Sequence, residues 1–401
     1  MLVRSDDCLI FKPVNMMVIP TFNRVLPLLL LCVASLMHAS GAKAEIVSKK
    51  QGLTDAGWRP SKTWAFVVGI LEWEDSNNFD PFPKDHRRDA RLVRVLQDKG
   101  VPASQIMYLQ DSKATIGVVR REFPKFLQQA RPGDWVLVYY AGHGYKEDNG
   151  EAYLATYDAS DDTPGWMMRA VPEAIERNFK GSHAVIALDN CYSGAMAESI
   201  GNAKHAVSYG VFASSLASAL STQNWTFTEA LLAVLEGTPA SDVNGDGKVT
   251  FAEAGAYIEG EMLFGEEQVA VSKFTARFDP QLVLANARQG TGSRIGEHIE
   301  ALTGNEWYKG VIVDSKPGAF KIHFYGYGVA DDEWVKANNI RSPTMVRYKK
   351  GTRVEVKWQK RWYEATILDL REGSHLITYE GFDSQWDEWV PSERIRPLRM
   401  K

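Results

Sequence analysis

Cysteine is scarce in this 401-residue chain: three occur, and two of them, Cys8 and Cys32, lie within the first 44 residues. A disulfide-stapled scaffold is therefore excluded as the basis of the fold. Excess positive charge is missing too. With 46 Lys and Arg against 50 Asp and Glu, the net charge is −4, which gives no nucleic-acid footprint. Long apolar runs are also absent: VLPLLLLCVASLM (25–37) stops short of the ~20 residues that a membrane-spanning helix needs. What is present is an ordinary globular composition, 45% hydrophobic and 24% charged, in a chain long enough for two or three domains.

Arg24 precedes the 25–37 run, and Ala42-Lys43-Ala44 follows it. A basic start, a short apolar stretch and an A-x-A site describe a secretory signal peptide over 1–44, with a buried or anchoring helix as the alternative. Met16 and Met17 stand in a conventional start position, so residues 1–15 can be untranslated. Cleavage near Ala44 makes the mature protein secreted or periplasmic and leaves Cys191 as its one cysteine. A lone thiol in an oxidising compartment has no intramolecular partner, which points to a used reactivity.

Strand-like runs at 64–71, 106–110, 134–142, 183–188 and 209–214 alternate with helical patterns at 85–100, 114–130 and 166–179. The alternation predicts an α/β sandwich with a largely parallel sheet, whose active sites collect at the carboxyl ends of strands. His143, in YYAGHG, and Cys191, in ALDNCYSG, both follow such ends. A thiol becomes a nucleophile when a base stands beside it, and the N–H groups of Gly144 and Cys191 can form an oxyanion hole, worth ~3–4 kcal/mol where measured. The alternative is a buried structural cysteine beside a core histidine.

YYAGHG and DNCYSG resemble the paired motifs of metacaspase and caspase-like cysteine peptidases, and the strand and helix order is similar over residues 57–288. The resemblance implies that Cys191 is the nucleophile and His143 the general base and acid. It implies that Asp189 and Asp89 line the pocket for the residue before the scissile bond, favouring Arg or Lys there. Ser214 and Trp225 become candidate pocket walls, and Lys204 a candidate self-cleavage point. Ala141 and Tyr192 depart from the family pattern, in which Ser and His are common, and Ala141 removes a pocket hydroxyl. The expected activity is endopeptidase cleavage of protein or peptide substrates. An inactive caspase-like scaffold is the alternative.

DVNGDGKVTFAE (242–253) matches an EF-hand loop. Asp242, Asn244 and Asp246 take positions 1, 3 and 5, Lys248 offers its carbonyl at 7, and Glu253 is the acid at 12. Thr250, at 9, can act through a water. The all-oxygen set fits Ca2+, although an Asx- and Gly-rich turn without metal has the same composition.

Residues 289–300 read as a linker, and beyond them a pattern repeats at an offset of 55 residues. WYKGVIVD leads to DDEWV in the first copy (301–343), and WYEATILD to WDEWV in the second (349–398). Short aromatic-rich strands at this spacing predict two small β-barrels resembling Tudor, chromo-barrel or SH3-like modules. Trp307, Tyr308, Phe324, Tyr327 and Trp334 in the first are candidate cage residues, as are Trp362, Tyr363, Tyr379, Phe382 and Trp389 in the second. Cages of this kind attract methylated or free ammonium groups, but barrels this small also need large rings for their cores. A protein or envelope ligand is the expected partner, with no nucleic acid.

Overall fold

The computed structural model describes residues 57–398, apart from 85–86, 202–203, 222–223, 289–293, 328–330, 344–347, 359–360 and 372–373. The expected signal segment lies outside the described residues. Alternation of side chains along extended apolar runs builds the first unit. Its strands β1 (Thr63–Gly69), β2 (Ile106–Gln110) and β3 (Trp135–Ala141) are joined by α1 (Arg88–Asp98) and α2 (Ile116–Leu127). After β3 come a three-stranded antiparallel flap, β4 (Gly144–Lys146), β5 (Ala152–Leu154) and β6 (Trp166–Met167), and then α3 (Ala170–Asn178). The sheet continues with β7 (His183–Asp189), α4 (Gly194–Gly201) and β8 (Ser208–Ala213).

One face of these strands, with Phe66, Val138 and Ile186, packs on α2, α3 and α4 through Phe123, Ile175 and Met196. The other face, with Val67, Tyr139 and Val185, packs on α1 and on α5 (Thr226–Glu236) and α6 (Phe251–Glu266), which follow β8. The β1, β2, β3, β7 and β8 strands are mutually parallel in the order β8-β7-β3-β1-β2, and their order reverses between β1 and β3. A crevice at such a reversal is where open parallel sheets bind ligands.

One expectation about elements changes, and further strands appear. Residues 166–179 form β6 and then α3, because Pro172 falls in the first turn of a helix, where it is tolerated, and not inside a longer one. Between α5 and α6 lies β9 (Lys248–Thr250), inside the EF-hand-like stretch. The far edge of the sheet is β10 (Val271–Phe274), antiparallel to β8. Outside the main sheet, β11 (Val283–Asn286) pairs with β9.

The repeat forms two five-stranded antiparallel sheets. The first runs through β12 (His298–Thr303), β13 (Glu306–Lys316), β14 (Ala319–Phe324), β15 (Glu333–Lys336) and β16 (Ile340–Arg341). The second runs through β17 (Arg353–Trp358), β18 (Arg361–Arg371), β19 (Ser374–Tyr379), β20 (Glu388–Pro391) and β21 (Ile395–Pro397). In each, the first strand also pairs with the last, curling the sheet around an Ile- and Val-rich core. Among the described residues no helix is long and apolar enough to cross a membrane.

Candidate active site

Parallel pairing of β3 with β7 sets Ala141 opposite Asp189. His143 and Cys191 therefore each stand two residues beyond a register-matched strand end. Gly144 shows how close the two turns come: a Cβ there would lie 2.3 Å from both Asn190 Nδ2 and the Cys191 carbonyl oxygen. At Gly142, φ is 153° and a Cβ would meet the Tyr140 hydroxyl at 2.7 Å. Both glycines of the AGHG turn are thus required by close approach, one of them to the cysteine itself.

The imidazole is held by groups that the sequence reading does not identify. His143 Nε2 lies 2.8 Å from the Asp80 carbonyl oxygen, which can only accept, so Nε2 carries the proton and Nδ1 the lone pair. The ring packs against Trp73 at 4.5 Å and Phe82 at 4.4 Å between centroids. Burial lowers its pKa, opposed by the bond to Asp80, so the neutral, basic form is favoured at neutral pH. The aromatic and proline-rich stretch NNFDPFP (77–83), just after β1, is the signal that could have been read.

Cys191 Sγ accepts the Ser221 N–H at 3.2 Å. The flanking Tyr192 takes φ 61°, a left-handed conformation costly for a non-glycine residue, and its N–H bonds the Ala219 carbonyl at 2.8 Å. Gly144 lies opposite Leu154, while the Ala155 N–H bonds the His143 carbonyl. The 144/154 pair is therefore of the non-hydrogen-bonded kind, and the Gly144 N–H faces away from β5.

A cavity of about 730 Å³ opens at these strand ends and is lined by His143, Cys191 and Asp189. Burial raises the pKa of Asp189 to about 7, against hydrogen bonds from Thr228, whose hydroxyl donates to Oδ2 at 2.6 Å. Trp225 lines the same cavity. Ser214 is fully buried behind it, where its hydroxyl accepts the Asn190 N–H at 3.1 Å. Asp89 is placed differently from expectation. It is fully buried, paired with Arg87 Nη2 at 2.8 Å and with the Tyr108 hydroxyl at 2.7 Å, and it does not line the cavity. Its charge is answered from two residues away in sequence. Lys204 is exposed between α4 and β8.

In the EF-hand-like loop, Asp242 accepts the N–H groups of Gly245, Asp246 and Gly247, and Asn244 that of Asp246. Asp246 accepts the Lys248 N–H, and Glu253 those of Asn244 and Thr250. Gly247 takes φ 86° at the sharp turn, and Thr250 with Glu253 forms a capping box that starts α6. Asp242 Oδ2 and Glu253 Oε1 each accept one N–H and keep a second lone pair, and the oxygen donor set suits a hard cation. Among the described residues no three His, Cys, Asp or Glu side chains already converge on one point.

The far wall of the cavity comes from the first barrel, through residues such as Val313, His323 and Tyr327. That barrel is joined to α6 by the buried Glu261, which accepts from the Tyr325 hydroxyl at 2.6 Å and pairs with His298 Nε2 at 3.0 Å. In the second barrel, four rings close a circuit. Centroid separations are 5.8 Å for Trp358–Tyr363, 6.3 Å for Tyr363–Phe382, 5.9 Å for Phe382–Trp386 and 6.3 Å for Trp386–Trp358. Of the expected cage residues, Tyr363 and Phe382 belong to this circuit and Tyr379 packs against both. Trp362 instead lies under Arg396, Trp307 under Arg341 and Trp334 under Lys316, each at 3.9 Å. Trp389 is half-buried. In the first barrel Tyr308 meets Phe324 and Tyr327, but Thr303 and Asp331 stand where the repeat offset has Trp358 and Trp386.

The Tudor-knot family, described as the RNA binding activity-knot of a chromodomain, matches residues 348–397, the span of the second barrel. A solved structure of protein GSU0716 from Geobacter sulfurreducens is 13% identical, covering 57% of this chain and 100% of its own, with a TM-score of 0.43. Tbtudor is 22% identical over 14% of this chain and 100% of its own, at a TM-score of 0.13. The Arabidopsis thaliana AGDP1 AGD34 structure is 16% identical over 26% of this chain and 81% of its own, also at 0.13. No curated protein matches the chain. The C-terminal part is Tudor-like.

Proposed function

We propose that the protein is a metacaspase-like cysteine endopeptidase that cleaves after basic residues and carries a ligand-binding Tudor-like barrel. The observation that carries this reading is the register: His143 and Cys191 extend equally beyond the paired residues Ala141 and Asp189, with the Asp80 carbonyl fixing the tautomer. His143 Nδ1 takes the thiol proton as Cys191 Sγ attacks the peptide carbonyl carbon. The tetrahedral oxyanion is met by the N–H groups of Gly144 and Cys191. As the C–N bond breaks, His143 returns the proton to the leaving amine and a thioester remains. Water, deprotonated by His143, attacks the thioester, and the thiol and a carboxylic acid are released. Asp189 faces the cavity with hydroxyl partners and pairs with the cationic side chain of the substrate.

Calcium belongs to the same proposal. Asp242, Asn244, Asp246, the Lys248 carbonyl and Glu253 are its ligands, and bound metal would brace the start of α6. For the second barrel, the four-ring circuit suits a methylated ammonium group on a protein partner. Three of its arginines, Arg353, Arg394 and Arg396, are paired with glutamates, which favours such a partner over RNA. The same circuit also supports the second reading, a scaffold whose barrels carry the function.

The test is an assay of the purified chain on fluorogenic peptides ending in Arg, Lys or Asp, beside Cys191→Ala. Cleavage after Arg or Lys that disappears in the variant is expected. Silence on every peptide with the fold intact would leave the scaffold reading.

A further inference from the structure

Behind the nucleophile lies a chain of hydrogen bonds that the catalytic pair does not account for. Ser221 brackets the Cys191 sulfur, its N–H donating to Sγ at 3.2 Å and its carbonyl oxygen lying 3.8 Å away as acceptor for the thiol. Its hydroxyl sits 3.1 Å from Gln268 Nε2 and 3.0 Å from Ser214 Oγ. The same Gln268 nitrogen also donates to the Ser214 carbonyl. Gln268 is itself anchored, because its N–H bonds the Met262 carbonyl of α6 at 3.2 Å, just beyond the left-handed Glu267 that ends the helix.

We propose that Gln268 is a positioning residue for Cys191, acting through Ser221. An N–H that points at a sulfur favours the thiolate over the thiol. That N–H belongs to a loop that must be held in place, and the Gln268 carboxamide holds it by its hydroxyl. A side chain from the end of α6, which lines no part of the cavity, thereby sets how much of the nucleophile is ionised. The inference rests on reading Cys191 as the nucleophile, but its test does not require peptide cleavage.

The measurement is the pH profile of Cys191 alkylation by iodoacetamide on the full chain, with Cys8 and Cys32 replaced by serine. Gln268→Met keeps the length of the side chain and removes the donor. Its profile is expected to move up by about one pH unit, with alkylation near neutral pH slowed about fivefold to tenfold. Ser221→Ala keeps the backbone N–H and loses the hydroxyl, so it should shift similarly, and the double variant should shift no further than either single one. Superimposable Gln268→Met and wild-type profiles would overturn the proposal, as would shifts that simply add. Should Gln268→Met fail to fold, an unmoved Ser221→Ala profile overturns it instead. A shift in a protein that cleaves no peptide would sustain the positioning role while removing the peptidase reading. Where peptides are cleaved, kcat should fall in Gln268→Met with KM unchanged, because Gln268 touches no substrate.

Discussion

Asp189 links the proposed substrate pocket to stability at the level of one carboxyl group. With its pKa raised to about 7 by burial, it is a neutral acid below that pH and a carboxylate above it. Affinity for a cationic side chain should therefore rise with pH, so KM for an Arg peptide is expected to fall between about pH 6 and about pH 8. The dependence should flatten in Asp189→Asn. Stability runs the other way. Between the ordinary carboxyl value of 3.8 and about 7, the folded chain holds a proton that the unfolded chain has lost, so stability falls as pH rises through that window. Asp189→Asn should consequently raise the melting temperature more at about pH 8 than at about pH 5. His143 and Cys191 were legible from sequence because parallel strands end in predictable places. Asp80, Ser221 and Gln268 were not, since each reaches the site from a loop whose path depends on tertiary packing.

The EF-hand-like stretch shows what an element takes from its surroundings. Its EF-hand-like spacing was readable from residue types alone. Its partner was not: β9 pairs with β11, about 35 residues further along the chain and outside the main sheet. Backbone donors of a short strand need acceptors, and a single loop of this type finds them on another segment of its own chain. Thr250, as N-cap of α6, accepts the Glu253 N–H at 3.2 Å. Thr250→Ala should cost about 1 kcal/mol in denaturant unfolding. Calcium in hundredfold excess over its dissociation constant should stabilise the chain by about 2.7 kcal/mol, measured as a rise in melting temperature. Asp242→Ala should abolish that rise, and an unchanged melting temperature in the parent chain would remove the metal from the proposal.

Over the whole molecule the two barrels differ in their aromatic rings and in what they pack against. The first keeps the repeat but lacks two of the four rings of the circuit, and it lies against α6 as a wall of the cavity. Tyr325→Phe removes one hydrogen-bond partner from the buried Glu261, and a cost of about 1–3 kcal/mol is expected. Limited proteolysis between the first unit and the first barrel should quicken in parallel. In the second barrel, Trp386→Ala opens the ring circuit and should weaken binding of a trimethyl-lysine peptide at least tenfold in calorimetry. An RNA oligonucleotide serves as the contrasting ligand, given the description of the matched family.

Local sequence carried the alternation of strands and helices, the repeat, the EF-hand-like spacing and the strand-end positions of His143 and Cys191, because each depends on neighbours along the chain. Placement across the chain did not follow from it. Arg87 took Asp89 out of the cavity, Trp362 turned outward beneath Arg396 while Trp358 and Trp386 completed the ring circuit, and a barrel became part of the cleft. These outcomes turn on which buried charge or ring finds a partner first, and such partners meet only when distant segments pack together.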